Sequence, residues 1–157
     1  MSSLPTMLKL IGNMGAKCEK FILDHGTEYT FRPLPKKYRA GPERYCFMNA
    51  ARLALSSREL IYVEGFGSSE ILCSIPALHA WCIDARGRVV DPTWTDPTST
   101  YVGITISDEL LMAEQMRTKH YGVLFEGGIK FNEKFATQWL KENKNKEKRH
   151  ERKIQSG

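Results

Sequence analysis

Two strand-like runs joined by a tight turn constrain the fold of this chain more than any other feature. Residues 78–84 and 88–91 have the composition of strands, and only Ala85-Arg86-Gly87 separates them. A short connection that contains glycine is typical of a β-hairpin, in which the two strands are antiparallel. The sequence therefore predicts an antiparallel sheet that contains this hairpin.

Strand and helix patterns alternate along the rest of the chain and place it in the α+β class. Further strands are predicted at residues 60–66, 101–106 and 121–126. Helices are predicted over residues 4–23, as one helix or two short ones, and from Cys46 to about Ser56. Two further helices are predicted, one over residues 108–119 after the N-cap residue Ser107 and one after the N-cap residue Asn132. Loops rich in proline cover residues 32–43 and 92–99.

Length and composition indicate a single soluble domain with a charged extension. The chain has 157 residues, of which 41% are hydrophobic and 26% charged, as in ordinary globular proteins. Of its net charge of +5, a charge of +4 comes from residues 141–153, so the rest is nearly neutral. We predict a domain at residues 1–140 and a basic, flexible tail at 141–157. The tail is interpreted as a solvated helix end, and binding of an acidic partner or nucleic acid is the alternative.

The N-terminus and the cysteines bear on the compartment. No basic segment followed by an apolar run opens the sequence, and no apolar stretch is long enough for a membrane span, so we expect a cytoplasmic protein without membrane contact. In that reducing compartment the cysteines, Cys18, Cys46, Cys73 and Cys82, are expected to be free thiols. The spacing of the cysteines and histidines matches no metal motif, so neither a metal nor another cofactor is expected.

Cys46 is placed where a thiol becomes a nucleophile. It follows the proline-rich loop and opens a predicted helix, and the unpaired N–H groups of a helix start favour the thiolate over the thiol. The other cysteines are interpreted as packing residues. A thiolate nucleophile needs a general base and a group that orients the base, and both come from elsewhere in the chain.

His79 and Asp91 suit these two roles because the predicted hairpin brings them together. His79 lies six residues before Ala85 on one strand, and Asp91 lies four residues after Gly87 on the other. Residues that face each other across paired strands are about 5 Å apart, so a modest stagger of the register suffices for contact. The backbone N–H of Cys46 is the expected donor to the oxyanion.

Four short motifs carry a family resemblance. They are Tyr45-Cys46-Phe47-Met48-Asn49-Ala50, Val63-Glu64-Gly65-Phe66, His79-Ala80-Trp81 and Val89-Val90-Asp91-Pro92-Thr93-Trp94. With these motifs in this order, residues 42–94 resemble the transglutaminase-like superfamily, including its microbial transglutaminase-like cysteine proteases. The resemblance implies a papain-like α+β fold, with N-terminal helices and the nucleophile helix packed on an antiparallel sheet. It also implies a triad of Cys46, His79 and Asp91 that acts as peptidase, amidase, deamidase or acyltransferase through a thioester.

The resemblance extends to residues around the triad. Tyr45, Asn49, Trp81 and Trp94 are expected to bind substrate or to form the pocket wall. Arylamine N-acetyltransferases likewise have an aromatic residue before the cysteine and an Asn three residues after it, although they are larger proteins. The Gln that supplies an oxyanion donor in papain-type proteases has no counterpart at residues 32–45.

Three functions are compatible with the sequence. The first is a thiol enzyme that acts on a protein or peptide-like amide, with water or an amine resolving the thioester. The second is a non-catalytic binding module of the same fold that holds a protein or nucleic-acid partner through its groove and basic tail. The third is an acetyltransferase that uses an acyl-CoA donor. Rapid and selective alkylation of Cys46 would distinguish an enzyme from a binding module.

Overall fold

A five-stranded antiparallel sheet forms the centre of the protein, as seen in a computed structural model that describes residues 15–157. Its strands, in the spatial order β1-β5-β2-β3-β4, are β1 (Thr27–Thr30), β2 (Ile61–Ser68), β3 (Ala77–Ile83), β4 (Val89–Val90) and β5 (Thr100–Ile106). The helices are α1 (Ala16–His25), α2 (Cys46–Ser56), α3 (Asp108–Thr118) and α4 (Glu133–Gln155), and β6 (Phe125–Glu126) and β7 (Lys130–Phe131) form a small second sheet. The protein therefore has a mixed α+β architecture, as the sequence predicts.

The predicted hairpin is present as β3 and β4. Ile83 of β3 lies opposite Val89 of β4, and the strands are antiparallel. The N–H of Asp84 donates to the carbonyl of Arg88 over 3.0 Å and closes the turn. Gly87 has a φ of 73°, a left-handed conformation that glycine adopts without a steric penalty. Local turn chemistry therefore sets the register of the strand that ends just before Asp91.

The helices cover one face of the sheet and enclose the larger core. Helix α2 packs on β2 and β3, and its inward residues Ala50, Ala51 and Ala54 are at most 1% exposed. Small alanine side chains allow the helix backbone to approach the sheet closely. The thiol of Cys82 donates to the carbonyl of Ala50 over 3.3 Å, which reports this close approach. The start of α2 is thereby held against β3, the strand that carries His79.

Aromatic side chains cover the other face of the sheet. This second cluster contains Val63, Trp81, Ile83, Val89 and Tyr101, with Tyr29, Phe31 and Trp94 packed against it. Glycines in β2 and β5 make room for the rings, because a Cβ atom added at Gly103 would lie 2.8 Å from the Trp81 ring. His79 lies on this face, two residues before Trp81 on β3.

The capping residues predicted for α3 and α4 are confirmed. The Ser107 hydroxyl accepts a hydrogen bond from the Leu110 N–H at 3.3 Å, and the Asn132 side-chain oxygen accepts one from the Phe135 N–H at 3.1 Å. Each cap satisfies a backbone donor that has no partner inside its helix. The side-chain caps of these two helices can be compared with the start of α2.

The strand predicted over residues 121–126 is wrong except for Phe125 and Glu126, which form β6. The reason is a buried carboxylate on the core side of β2. Glu64 accepts hydrogen bonds from the N–H groups of Val123 and Phe125, at 3.0 Å and 2.7 Å, and from the Tyr62 hydroxyl at 2.9 Å. These backbone donors therefore serve a side chain instead of a neighbouring strand.

The ends of the chain differ from the prediction in extent. Of the helix predicted at residues 4–23, the part before residue 15 lies outside the described residues, and α1 runs on to His25. At the other end, α4 continues through residues 141–155 as a largely exposed helix. The boundary at residue 140 and the flexibility of the tail stay predictions. None of the helices within residues 15–157 has the length and apolar content to span a lipid bilayer.

Candidate active site

Cys46 occupies the first position of a helix whose start has no side-chain cap. Tyr45 stands at the N-cap position and its side chain makes no capping hydrogen bond. The first backbone donor with a partner is the N–H of Asn49, which bonds to the carbonyl of Tyr45 at 2.8 Å. The N–H groups of residues 46–48 thus have no acceptor among the described residues, unlike those capped in α3 and α4. They are free to bind an anionic oxygen beside the sulfur.

His79 and Asp91 are in direct contact. The distance between His79 Nε2 and Asp91 Oδ2 is 2.7 Å, and both side chains are only 1% exposed. A carboxylate next to Nε2 favours the tautomer that carries its hydrogen there, so Nε2 donates and Nδ1 is left as the basic nitrogen. The hairpin therefore brings together the two residues that the sequence analysis pairs.

Asp91 is held by four hydrogen bonds. Its Oδ1 atom accepts from the N–H groups of Thr93 and Trp94, at 2.9 Å and 3.1 Å. Its Oδ2 atom accepts from His79 and from the hydroxyl of Tyr101, the latter at 3.1 Å. Tyr101 is a site residue that the sequence analysis missed. Such a set of donors fixes the position of the carboxylate.

The Cys46 thiol lies close enough to His79 to influence the pKa of the imidazole. Nδ1, the ring nitrogen that is not bound to Asp91, is buried and has no hydrogen-bond partner among the described residues. Burial lowers the pKa of His79, but the charge and hydrogen bond of Asp91, followed by the influence of Cys46, raise it more, to about 9. The imidazole is therefore cationic at neutral pH, which is the state that pairs with a thiolate.

Aromatic rings enclose the imidazole. The Trp94 ring stacks on His79 with the centroids 3.9 Å apart and the planes at 19°, and Trp81 lies parallel to the same ring at 5.9 Å. Trp94 reaches this position because Gly67 on β2 leaves space for it. A Cβ atom added at Gly67 would lie 2.5 Å from Cζ3 of Trp94. The stacked rings exclude water from the imidazole and fix its plane.

Substitution of Gly67 by Ala is expected to disturb the site through Trp94. Because the added methyl group has no room, the indole must move, and overpacking of this kind costs about 1–3 kcal/mol of the free energy of unfolding. Urea denaturation of the Gly67→Ala variant should show this loss. Combining it with Trp94→Phe, which removes the clashing atoms, should recover much of the stability, whereas strictly additive losses would contradict the clash.

The loops on either side of the site are bonded to each other. The N–H of Gly41 donates to the carbonyl of Pro92 at 2.8 Å. The side-chain amide of Asn49 donates to the carbonyl of Pro42 at 2.8 Å and to the hydroxyl of Thr93 at 3.0 Å. Asn49 is therefore a positioning residue that joins the segment before Cys46 to the loop after Asp91.

Two cavities are lined by residues of the segment that leads to Cys46. One, of about 270 Å³, contains Trp94 and Thr93 in its lining, and the other, of about 230 Å³, contains Tyr45. Arg44, whose φ of 68° is unusual for a residue other than glycine, lines both. Of the predicted pocket residues, Tyr45 and Trp94 thus form cavity walls. Asn49 and Trp81 are buried and line neither of these two cavities.

The other cysteines lie apart from this arrangement. Cys18 and Cys82 are buried in the larger core, and burial raises the pKa of both thiols, that of Cys18 to about 11. Cys73 is exposed on the segment after β2, and all four thiols are free. In residues 15–157, no three His, Cys, Asp or Glu side chains are grouped so that they could hold a metal ion.

Comparison of the chain with protein-family models, curated proteins and solved structures finds no match.

Proposed function

We propose that this protein is a thiol enzyme of the transglutaminase-like, papain-like fold that forms and resolves a thioester on Cys46. One observation carries the proposal. The buried His79 binds Asp91 through one ring nitrogen, and the Cys46 thiol, at an uncapped helix start, lies close enough to influence the pKa of the same imidazole. A structural role alone would not require a buried, aligned ion pair beside a partly exposed sulfur.

The order of the elements supports the papain-like part of the proposal. The helix that begins at Cys46 packs on an antiparallel sheet, and the base and the acid follow on β3 and just after β4. Papain-like enzymes are expected to have this order of nucleophile, base and orienting group. The arrangement of these elements along the chain agrees with the motif resemblance over residues 42–94.

The first half of the reaction is acyl transfer to sulfur. In the resting site the proton of the Cys46 thiol is held by His79 as imidazolium, and the thiolate attacks the carbonyl carbon of an amide, so that an S–C bond forms. Backbone N–H groups at the start of α2 donate to the oxyanion. The C–N bond then breaks as the imidazolium gives its proton to the leaving nitrogen. The product is a thioester on Cys46 and a free amine.

The second half restores the thiolate and the imidazolium. Water or a second amine attacks the thioester carbon and loses its proton to His79. The C–S bond breaks, the sulfur leaves as thiolate, and an acid or a new amide is released. A protein or peptide-like amide is the proposed substrate, and hydrolysis and acyl transfer differ only in the attacking group. Because the sulfur has to stay reduced between turnovers, the cytoplasm remains the proposed compartment.

Alkylation of the native protein tests the proposal without knowledge of the substrate. Iodoacetamide at pH 7 is expected to label Cys46 much faster than the exposed Cys73, as measured by mass spectrometry at increasing times. The His79→Ala variant should label Cys46 about 30-fold more slowly, because a thiol without an imidazolium partner is only a few per cent ionised at this pH.

The histidine control is His150→Ala, which changes an exposed residue of α4. It should leave the rate at Cys46 unchanged, and circular dichroism should show both variants folded. Equal labelling of Cys46 and Cys73 in the native protein, or no effect of His79→Ala in a folded variant, would overturn the proposed function.

A further inference from the structure

The smaller of the two cavities has the dimensions of a specificity pocket. Its volume of about 230 Å³ suits one side chain or one small acyl group, which is below the usual range for whole ligands. Its lining includes residues on both sides of Cys46 and a second segment that follows α3: Arg44, Tyr45, Phe47, Lys119, His120 and Tyr121. A group bound here would therefore lie beside the residues that flank Cys46.

The position of His79 assigns the two cavities to opposite sides of the scissile bond. In acyl transfer the imidazolium gives its proton to the leaving nitrogen, so the leaving group lies on the imidazole side. Trp94, which stacks on His79, lines the larger cavity, whereas neither Asp91 nor any aromatic ring that stacks on His79 lines the smaller one. The smaller cavity therefore lies on the acyl side.

One wall of the smaller cavity is flat and apolar. The Phe47 ring packs against glycine backbone, because a Cβ atom added at Gly128 would lie 3.0 Å from Cε2 of Phe47 and one at Gly122 would lie 3.1 Å from Cδ1. Gly128 also has a φ of 69°, so other residues are disfavoured there. With the rings of Tyr45 and Tyr121, this wall suits a planar or narrow apolar stem.

The rim of the same cavity is basic. Arg44 and Lys119 make no ion pair within residues 15–157, and no carboxylate lines the cavity. The larger cavity is different, since Glu43 and Asp96 line it. Unpaired cations around an apolar pocket favour a ligand with a negative charge at the end of an apolar stem.

We propose that this cavity is the acyl-side pocket and that it selects acyl groups carrying a carboxylate on a short apolar or aromatic stem. The proposal rests on the proposed function for its assignment to the acyl side. The binding site itself can be tested without any turnover.

Phenylacetate and phenylacetamide form a suitable pair of probes because they match in size and differ in charge. In titrations of the isotopically labelled protein at low salt, phenylacetate is expected to shift the amide signals of Gly122, Gly127 and Gly128, with at least tenfold tighter binding than phenylacetamide. The double variant Arg44→Gln with Lys119→Gln should lose this preference. The control Lys130→Gln removes an exposed cation outside the cavity and should keep it.

Three outcomes would overturn the anionic pocket. They are equal affinity for the two probes, no binding of either probe, and a preference that survives the double variant while that variant is folded. Amide signal shifts confined to another surface of the protein would also overturn it.

Alkylation separates this proposal from the proposed function. If iodoacetamide shows no enhanced, His79-dependent reactivity at Cys46, the proposed enzyme function is overturned, even if phenylacetate binds selectively. If Cys46 is reactive but phenylacetate binds no better than phenylacetamide, the proposed enzyme function is upheld and the proposed anionic pocket is overturned. As a second readout, iodoacetate should favour Cys46 over Cys73 several-fold more than iodoacetamide does, and only in proteins that retain Arg44 and Lys119.

Discussion

Replacement of Asp91 by Asn is expected to slow the alkylation of Cys46 about a hundredfold at pH 6. The reason lies in the donors around the carboxylate. The N–H groups of Thr93 and Trp94 point at Oδ1, so the amide oxygen of the variant must occupy that position. Its NH₂ group then faces His79.

A donor facing Nε2 reverses the tautomer of the imidazole. His79 would have to accept at Nε2 and carry its hydrogen on Nδ1, so no ring nitrogen would be left to take the proton of the thiol. A thiol without an imidazolium partner is ionised to about one part in 300 at pH 6. Loss of the partner should therefore cost most of the reactivity at this pH.

Rates of iodoacetamide labelling between pH 5 and pH 9 would measure the effect. The difference between the native protein and the Asp91→Asn variant should be largest at low pH, and the variant should react only as the pH approaches that of ordinary thiol ionisation. Asp96→Asn is the matched control, because Asp96 lies in the same loop and accepts from Thr98 instead of His79. Tyr101→Phe should have a smaller effect, since it leaves the bond between His79 and Asp91 in place.

Identical pH profiles for the native protein and a folded Asp91→Asn variant would show that the carboxylate does not control the imidazole. That result would remove the orienting role proposed for Asp91.

The second large effect is expected at Glu64, in the free energy of unfolding. Glu64 is completely buried and accepts from two backbone N–H groups and the Tyr62 hydroxyl. Burial raises the pKa of its carboxyl, the hydrogen bonds oppose this, and the result is about 7 instead of 4.5. The folded protein therefore binds a proton at this site more tightly than the unfolded chain does.

The sign of the pH dependence follows from this difference. The contribution of Glu64 to stability is fully present below pH 4.5, where both states are protonated, and is lost as the pH rises through 7. A pKa shift of this size corresponds to about 3 kcal/mol of the free energy of unfolding. The unfolding free energy of the native protein should therefore fall between these pH values relative to a variant that cannot titrate at this position.

Two substitutions isolate the effect. Glu64→Gln resembles the neutral carboxyl, so the difference in unfolding free energy between it and the native protein should change by about 3 kcal/mol from pH 4.5 to pH 8. Glu64→Ala leaves the buried donors of Val123, Phe125 and Tyr62 without an acceptor and should cost about 3 kcal/mol or more at any pH. Urea denaturation measures both. A Glu64→Ala variant as stable as Glu64→Gln would mean that these hydrogen bonds contribute little.

Local patterns account for the part of the fold that could be predicted. The β3–β4 hairpin depends on its turn residues, and the caps Ser107 and Asn132 depend on their immediate neighbours, so short stretches of sequence are enough for both. The pairing of His79 with Asp91 follows from the same hairpin. These features need only interactions between residues close in the chain.

The features that could not be predicted depend on contacts between distant segments. Tyr101 bonds to Asp91 because β5 lies beside β2, with Gly67 opposite Tyr101, and no local pattern specifies that neighbour. The predicted strand at residues 121–126 has the composition of a strand, but Glu64 competes for its backbone donors. The short strand β1 was missed because Thr27–Thr30 has few apolar residues and pairs only with β5.

The edges of the central sheet have a consequence for behaviour at high concentration. β1 has four residues and β4 has two, and the carbonyl of Val89 in β4 already accepts from the Arg32 guanidinium at 2.9 Å. Fibril growth by strand addition needs a long row of unpaired backbone groups at a sheet edge. Neither edge supplies one, so the folded protein should resist this form of aggregation.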